Sequence, residues 1–237
     1  MKLDALVFAA HPDDAEISLG GTILRMVDAG ARVGVIDLTR GELGTRGTPE
    51  QRAHEAAQAS ALLGIALRDS LDFPDGRLRA DIDSRERVAR VLREHEPDVL
   101  FTHHVEDLHP DHAACGKLVR EAWYLSGLAR LAERDGGPAA RRPRRLFHFM
   151  GHVPFDPTLV VDVSPVWHRK VEVIRCYQSQ LEPRDEKDRG EHFLFGADVL
   201  ERAATKAAYF GERIGVRFGE PLFHSGPLPT YNPLGLR

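Results

Sequence analysis

The chain has little cysteine, no long apolar run and no excess of positive charge. Its two cysteines, Cys115 and Cys176, stand far apart in 237 residues, too few for a disulfide framework or a cysteine-built structural zinc site. No stretch approaches the roughly 18 consecutive apolar residues of a membrane-spanning helix. With 32 Lys and Arg against 36 Asp and Glu, the formal net charge is −4, unlike domains built to grip nucleic acid or an acidic membrane. The one basic cluster, Arg141-Arg142-Pro143-Arg144-Arg145, lies in a Gly/Pro-rich stretch and reads as a solvated loop. The start of the chain, with Asp4 leading straight into an apolar run, lacks the regions of a signal peptide. A cytoplasmic, reducing location is the expectation. The turn after the first apolar run also lacks G-x-G-x-x-G. Gly20-Gly21 comes late, and the acids of His11-Pro12-Asp13-Asp14 would repel a pyrophosphate, which argues against a dinucleotide-binding dehydrogenase.

What is present is a 42% hydrophobic composition, enough for one sizeable core, and twelve histidines. The length suits a single domain over 1–237. Residues 1–125 alternate regularly. Strands are expected at Leu3–Ala9, Arg32–Leu38, Ala66–Leu71 and Asp98–Thr102. Helices are expected at Ile17–Ala29, Pro49–Leu63 and Ser84–Glu94, with another from Pro110. Such alternation implies an α/β fold: a doubly wound, Rossmann-like, mostly parallel sheet with helices on both faces. Residues 126–237 are less regular. Arg145–Met150 and Leu159–Val163 read as strands, Pro165–Gln180 and Ala197–Phe210 as helices, and Glu182–Glu191 as a charged surface loop. After Gly219 the prolines and glycines read as too many breakers for regular structure.

In an open parallel sheet, ligands bind beyond the carboxyl ends of the strands. His11–Asp14, Thr39–Glu42, Asp72–Gly76 and His103–His112 all fall at that edge. Two tetrapeptides echo each other there, His11-Pro12-Asp13-Asp14 and His109-Pro110-Asp111-His112. Two histidines and one carboxylate drawn from them would form a catalytic zinc shell that leaves a position open for water. Iron(II) suits the same donors. Spacing does not separate the duties of Asp13 and Asp14, and none selects His103 or His104. His54, His95, His148, His152, His168, His192 and His224 read as surface or ordinary core residues.

The stretches AAHPDDAEISLGGT and HPDH resemble the LmbE-like, or PIG-L, family of zinc-dependent N-deacetylases. LTRGELGTRGTPEQRAHEA at 38–56 and GVRFGEPLFHSGPLP near the end resemble its bacillithiol-biosynthesis branch, which removes acetate from N-acetylglucosaminyl malate. The resemblance implies His11, Asp14 and His112 as ligands of one Zn2+ and Asp13 as general base. It also implies His109 as general acid, with Asp111 holding its ring. It implies a small-molecule N-acetylglucosaminide substrate and a homo-oligomer. A malyl group carries two carboxylates, and arginine pairs with carboxylates in bidentate fashion. Arg52, near the start of the second helix, is therefore the expected substrate-binding arginine. Mycothiol-pathway relatives carry a tyrosine before the second motif, whereas this chain has Glu106, Asp107 and Leu108. Alternatives are another N-acetylglucosamine compound, such as a chitooligosaccharide or a mycothiol precursor, a thiol conjugate, or a noncatalytic metal- or sugar-binding protein.

Overall fold

The computed structural model describes residues 1–181 and 199–229. In chain order the elements are β1 (Ala5–Ala9), α1 (Asp14–Asp28), β2 (Val33–Asp37), α2 (Pro49–Leu63), β3 (Leu67–Ser70), α3 (Ile82–His95), β4 (Val99–His103) and α4 (Pro110–Ser126). There follow α5 (Ala129–Asp135), β5 (Arg145–Phe149), β6 (Leu159–Asp162), α6 (Trp167–Arg175), α7 (Gln178–Leu181), α8 (Val199–Glu212) and β7 (Gly219–Phe223).

The strands form one sheet in the order β3-β2-β1-β4-β5-β7-β6. β1 pairs in parallel with β2, Ala5 opposite Val33, and with β4, Ala5 opposite Val99. The turn from β1 into α1 therefore lies beside the loop that leaves β4. Successive β1 side chains feed two cores, as the two-residue strand period requires. Ala5, Val7 and Ala9 pack with α1 and α2, whereas Leu6, Phe8 and Ala10 pack with α3 and α4. A strand buried on both faces reads as a continuous apolar run, which is how β1 appears in the sequence.

Local signals fix the helix ends. Thr48 accepts from Gln51 N at 3.2 Å, Pro49 occupies the first position of α2, and Gly64 closes it in the left-handed region. Gly116 lets α4 lie close against β4, because a Cβ there would sit 2.5 Å from the His103 carbonyl oxygen. That close approach holds the first turn of α4 against the end of β4.

The C-terminal part departs from the sequence reading in two places. The expected helix Pro165–Gln180 is divided into a short 3-10 turn, α6 and α7. The stretch from Gly219, expected to be irregular, is β7, antiparallel between β5 and β6. Pro221 is tolerated there because β5 pairs only with Leu222 and Phe223, so its missing N–H costs no bond to β5. The predicted loop Glu182–Glu191 lies outside the described residues. Among the described residues no helix is long and apolar enough to cross a membrane.

Candidate active site

The chain leaves β1 through a turn that places both acids of HPDD. Asp13 has φ 113°, a region an L-residue occupies only under constraint. It sits where α1 would be capped, yet its side chain makes no capping bond. Its carboxylate lies 3.3 Å from Arg52 Nη2 instead. Burial pushes the Asp13 carboxyl up to about 7 against the pull of Arg52, with Asp14 adding to the rise.

Asp14 opens α1 and is the point of convergence. Its carboxylate accepts from His11 N at 2.9 Å and lies 3.2 Å from each of His11 Nδ1, His103 Nε2 and His112 Nε2. Burial opposes its charge, but His112 and His103 hold its carboxyl well below the usual range. The same burial opposes charge on His112, yet Asp14 and Asp107 raise it to about 9.

The far nitrogens of the two candidate ligand histidines meet further carboxylates, His11 across loops and His112 from within its own β4–α4 connection. His11 Nε2 is 3.1 Å from Asp75 Oδ1 and 3.5 Å from Asp111 Oδ2. His112 Nδ1 is 3.3 Å from Asp107 Oδ1. A carboxylate behind an imidazole fixes its tautomer and raises its basicity, the usual support for a metal-binding histidine. His11, Asp14 and His112 are thus nitrogen and oxygen donors with backing in place, and their chemistry suits a divalent ion. Among the described residues, the sets whose atoms lie close enough for one ion are His11–His109–His112, Asp14–His103–His112, Asp107–His112–His152 and His11–Asp75–Asp111, with His112 in three of the four.

His103, Asp75, Asp107 and His152 are the residues that sequence spacing missed. His103 ends β4, its ring 4.1 Å from that of His112, and burial pushes it down to about 4. Its signal was position alone, the last residue of a strand beside β1, and that adjacency is not written in the sequence. Asp75 bridges loops, accepting from Leu43 N at 2.8 Å, while its own N donates to Glu42 at 2.9 Å.

Two expected duties are filled differently. The resemblance has Asp111 holding the His109 ring. Its carboxylate instead accepts from Gly76 N at 2.6 Å and Leu78 N at 3.2 Å, because it points back under the β3–α3 loop. The Asp111 backbone N donates to His109 Nδ1 at 3.2 Å, so the ring of His109 caps α4. Burial, then the charges of His112 and His11, lower the His109 pKa. Arg52 is the arginine expected to meet a substrate carboxylate. It is 4% exposed, and it donates to Pro12 O at 2.6 Å and Gly41 O at 3.3 Å while pairing with Asp13. Its guanidinium braces the HPDD turn from behind.

A family model described as GlcNAc-PI de-N-acetylase (PIG-L) matches residues 6–123. A diacetylchitobiose deacetylase of Thermococcus kodakarensis is 30% identical over 226 residues, covering 91% of this chain and 80% of its own. The chain belongs to the PIG-L, or LmbE-like, deacetylase family. The conserved protein TT1542 from Thermus thermophilus superposes with a TM-score of 0.84 at 36% identity, covering 98% of both chains. A 4-oxalmesaconate hydratase of Pseudomonas putida is 27% identical over 74% of this chain and 73% of its own. As a member of the family, the chain is a metal-dependent deacetylase, and His11–Asp14 and His109–His112 lie within the matched segment.

Proposed function

We propose that this enzyme removes the acetyl group from a small N-acetylglucosaminide with one Zn2+ held by His11, Asp14 and His112, iron(II) being the alternative ion. The observation that carries the reading is the convergence of two imidazoles on Asp14, each backed by a carboxylate, beside a buried acid poised near neutrality. A divalent ion there supplies Lewis-acid polarisation of the acetamide carbonyl and lowers the pKa of water. The protein's own groups do the rest. Asp13, its carboxylate left free of the helix cap and braced by Arg52, takes the proton from the attacking water. His109, whose Nδ1 accepts from the Asp111 N–H, presents its Nε2–H as a hydrogen-bond donor to the departing amine nitrogen, and the proton that this nitrogen gains is the one Asp13 took from the water. Burial of the acids keeps the site poor in bulk water, where fixed dipoles act most strongly.

The structure supports a neutral sugar as the neighbouring group. The charged groups around His11 and His112 are carboxylates, and Arg52 is committed to Asp13 and Pro12. N-acetylglucosaminyl malate, the bacillithiol precursor, is the second reading. It rests on the 38–56 stretch and on Arg40, exposed at the end of β2 with Nε 3.7 Å from Asp72.

The test is amine release from N,N′-diacetylchitobiose, N-acetylglucosaminyl malate and free N-acetylglucosamine, with and without chelator. Chelator-sensitive release restored by Zn2+ or Fe2+ is expected, with chitobiose the better substrate. Metal-loaded protein inert toward all three would overturn the reading and favour hydratase chemistry or mere binding.

A further inference from the structure

Outside the two motifs, two imidazoles stand in the same cluster with no assigned work, the fully buried His103 and the partly exposed His152. His152 follows β5, and the sequence reads it as a surface or ordinary core residue. Its ring lies 5.1 Å from that of His112 at an interplanar angle of 15°. Its backbone N donates to Asp107 Oδ2 at 2.9 Å and its Nδ1 lies 3.0 Å from Asp107 Oδ1. The Asp107 carboxylate also accepts from His109 N at 3.0 Å and lies 3.3 Å from His112 Nδ1. One buried acid therefore holds His152 at two points and also meets the backbone of His109 and the ring edge of His112.

The loop carrying His152 is held from behind as well. Lys206 donates to the carbonyls of Met150 and Gly151 at 3.1 and 2.9 Å. Any side chain at 151 would overlap Asp107. The ring is thus built into place, and its side chain still keeps 24% of its exposure.

The hydrogen bonds fix which edge of each exposed ring does what. A carboxylate only accepts, so His152 Nδ1 carries the hydrogen and Nε2 offers a lone pair. Among the described residues nothing pairs with that Nε2. His109 is wired the opposite way: its Nδ1 accepts from a backbone N–H and its Nε2 donates. The cluster thus offers one donor imidazole and one acceptor imidazole beside His112. The donor suits the nitrogen of the scissile bond, whose lone pair can accept from it once the carbonyl has been attacked. The acceptor would oppose that step if it faced the same atom, but it suits an O–H group.

We propose that His152 is a specificity-determining residue whose Nε2 accepts a hydrogen bond from a ring hydroxyl of the sugar that bears the acetamide. The inference rests on the deacetylase reading of the same site and names what distinguishes an N-acetylglucosaminide there from a simple acetamide. His152→Gln keeps an acceptor, whereas His152→Ala removes it.

The experiment measures kcat/KM of wild type, His152→Ala and His152→Gln on diacetylchitobiose and on its monodeoxy analogues at the reacting sugar, with metal content determined for each protein. On the parent substrate His152→Ala should lose about 10- to 100-fold, the usual scale for a lost buried hydrogen bond. On one deoxy analogue wild type and His152→Ala should match, because the bonded hydroxyl is already missing. His152→Gln should recover part of the loss on the parent, and all three proteins should carry the same metal. The same Ala-to-wild-type ratio on every analogue, or loss of metal from His152→Ala, overturns the assignment. Wild-type protein inactive on every sugar would instead sink the deacetylase reading itself, a result distinct from either.

Discussion

The chain buries charge in two regions and treats it differently in each. Between α1, α6 and β7, Glu220 accepts from Gly21 N at 2.8 Å, Thr22 N at 2.7 Å and Lys170 Nζ at 2.6 Å. Both carboxylate oxygens there have partners and the charges cancel. At the carboxyl ends of β1 and β4, Asp14 meets three imidazoles, with Asp75, Asp107 and Asp111 behind them and Arg52 committed to Asp13. Among the described residues, His103 Nδ1 is buried there without a hydrogen-bond partner. The charge on Asp14 is balanced there only when a ring such as His112, raised to about 9, takes up a proton, which leaves the carboxylate short of a fixed cation. The contrast teaches that closed charge is scaffold, while charge left short of a cation marks a binding site.

That contrast can be broken most sharply at Asp14. Asp14→Ala should abolish metal loading and cut amine release by at least about 10³-fold, the scale of a lost Lewis acid. Metal analysis beside the assay checks it, and retained metal would move the centre elsewhere. Lys170→Met should do the reverse, costing about 3–5 kcal/mol of stability by stranding Glu220 while leaving metal content and KM unchanged. Denaturant unfolding measures the first and the assay the second.

Asp13→Asn should keep its metal but lower kcat about 10²- to 10⁴-fold, the range for general-base loss. The metal-free protein offers a pH test of the same acid. Asp13 is held up to about 7 by burial, above its ordinary value of about 3.9. A raised folded-state pKa favours the protonated form. Its contribution is therefore intact in acid and is lost as pH rises through about 7. The stability gap by which Asp13→Asn exceeds wild type should widen between about pH 4 and 7 in thermal melts. A constant gap would show that the acid is not held in that way. The smallest effect belongs to Asp107→Asn, which should weaken metal binding about 10- to 100-fold by removing the backing of His112. An unchanged dissociation constant would confine Asp107 to scaffolding.

The parallel half of the sheet was readable from the chain alone. Apolar runs such as Leu3–Ala9, capping signals such as Thr48-Pro49 and the alternation of strand with helix are local. They predict β1 to β4 and α1 to α4 within a few residues. The convergence of HPDD and HPDH followed from the same rule, since both tetrapeptides stand at strand ends. β7 was hidden because Pro221 and Gly219 look like breakers, and only the pairing that ends before Pro221 on the β5 side makes a strand possible there.

By itself the sequence determined a parallel α/β sheet and a carboxylate-and-imidazole site at its edge, because periodicity and strand-end placement act over short distances along the chain. The tertiary structure alone decided that His103 and His152 join the cluster, that Asp75 and Asp107 stand behind the histidines, and that Arg52 and Asp111 turn to bracing. Those assignments depend on which loops the sheet order makes neighbours, and on how a buried charge is matched across elements distant in sequence.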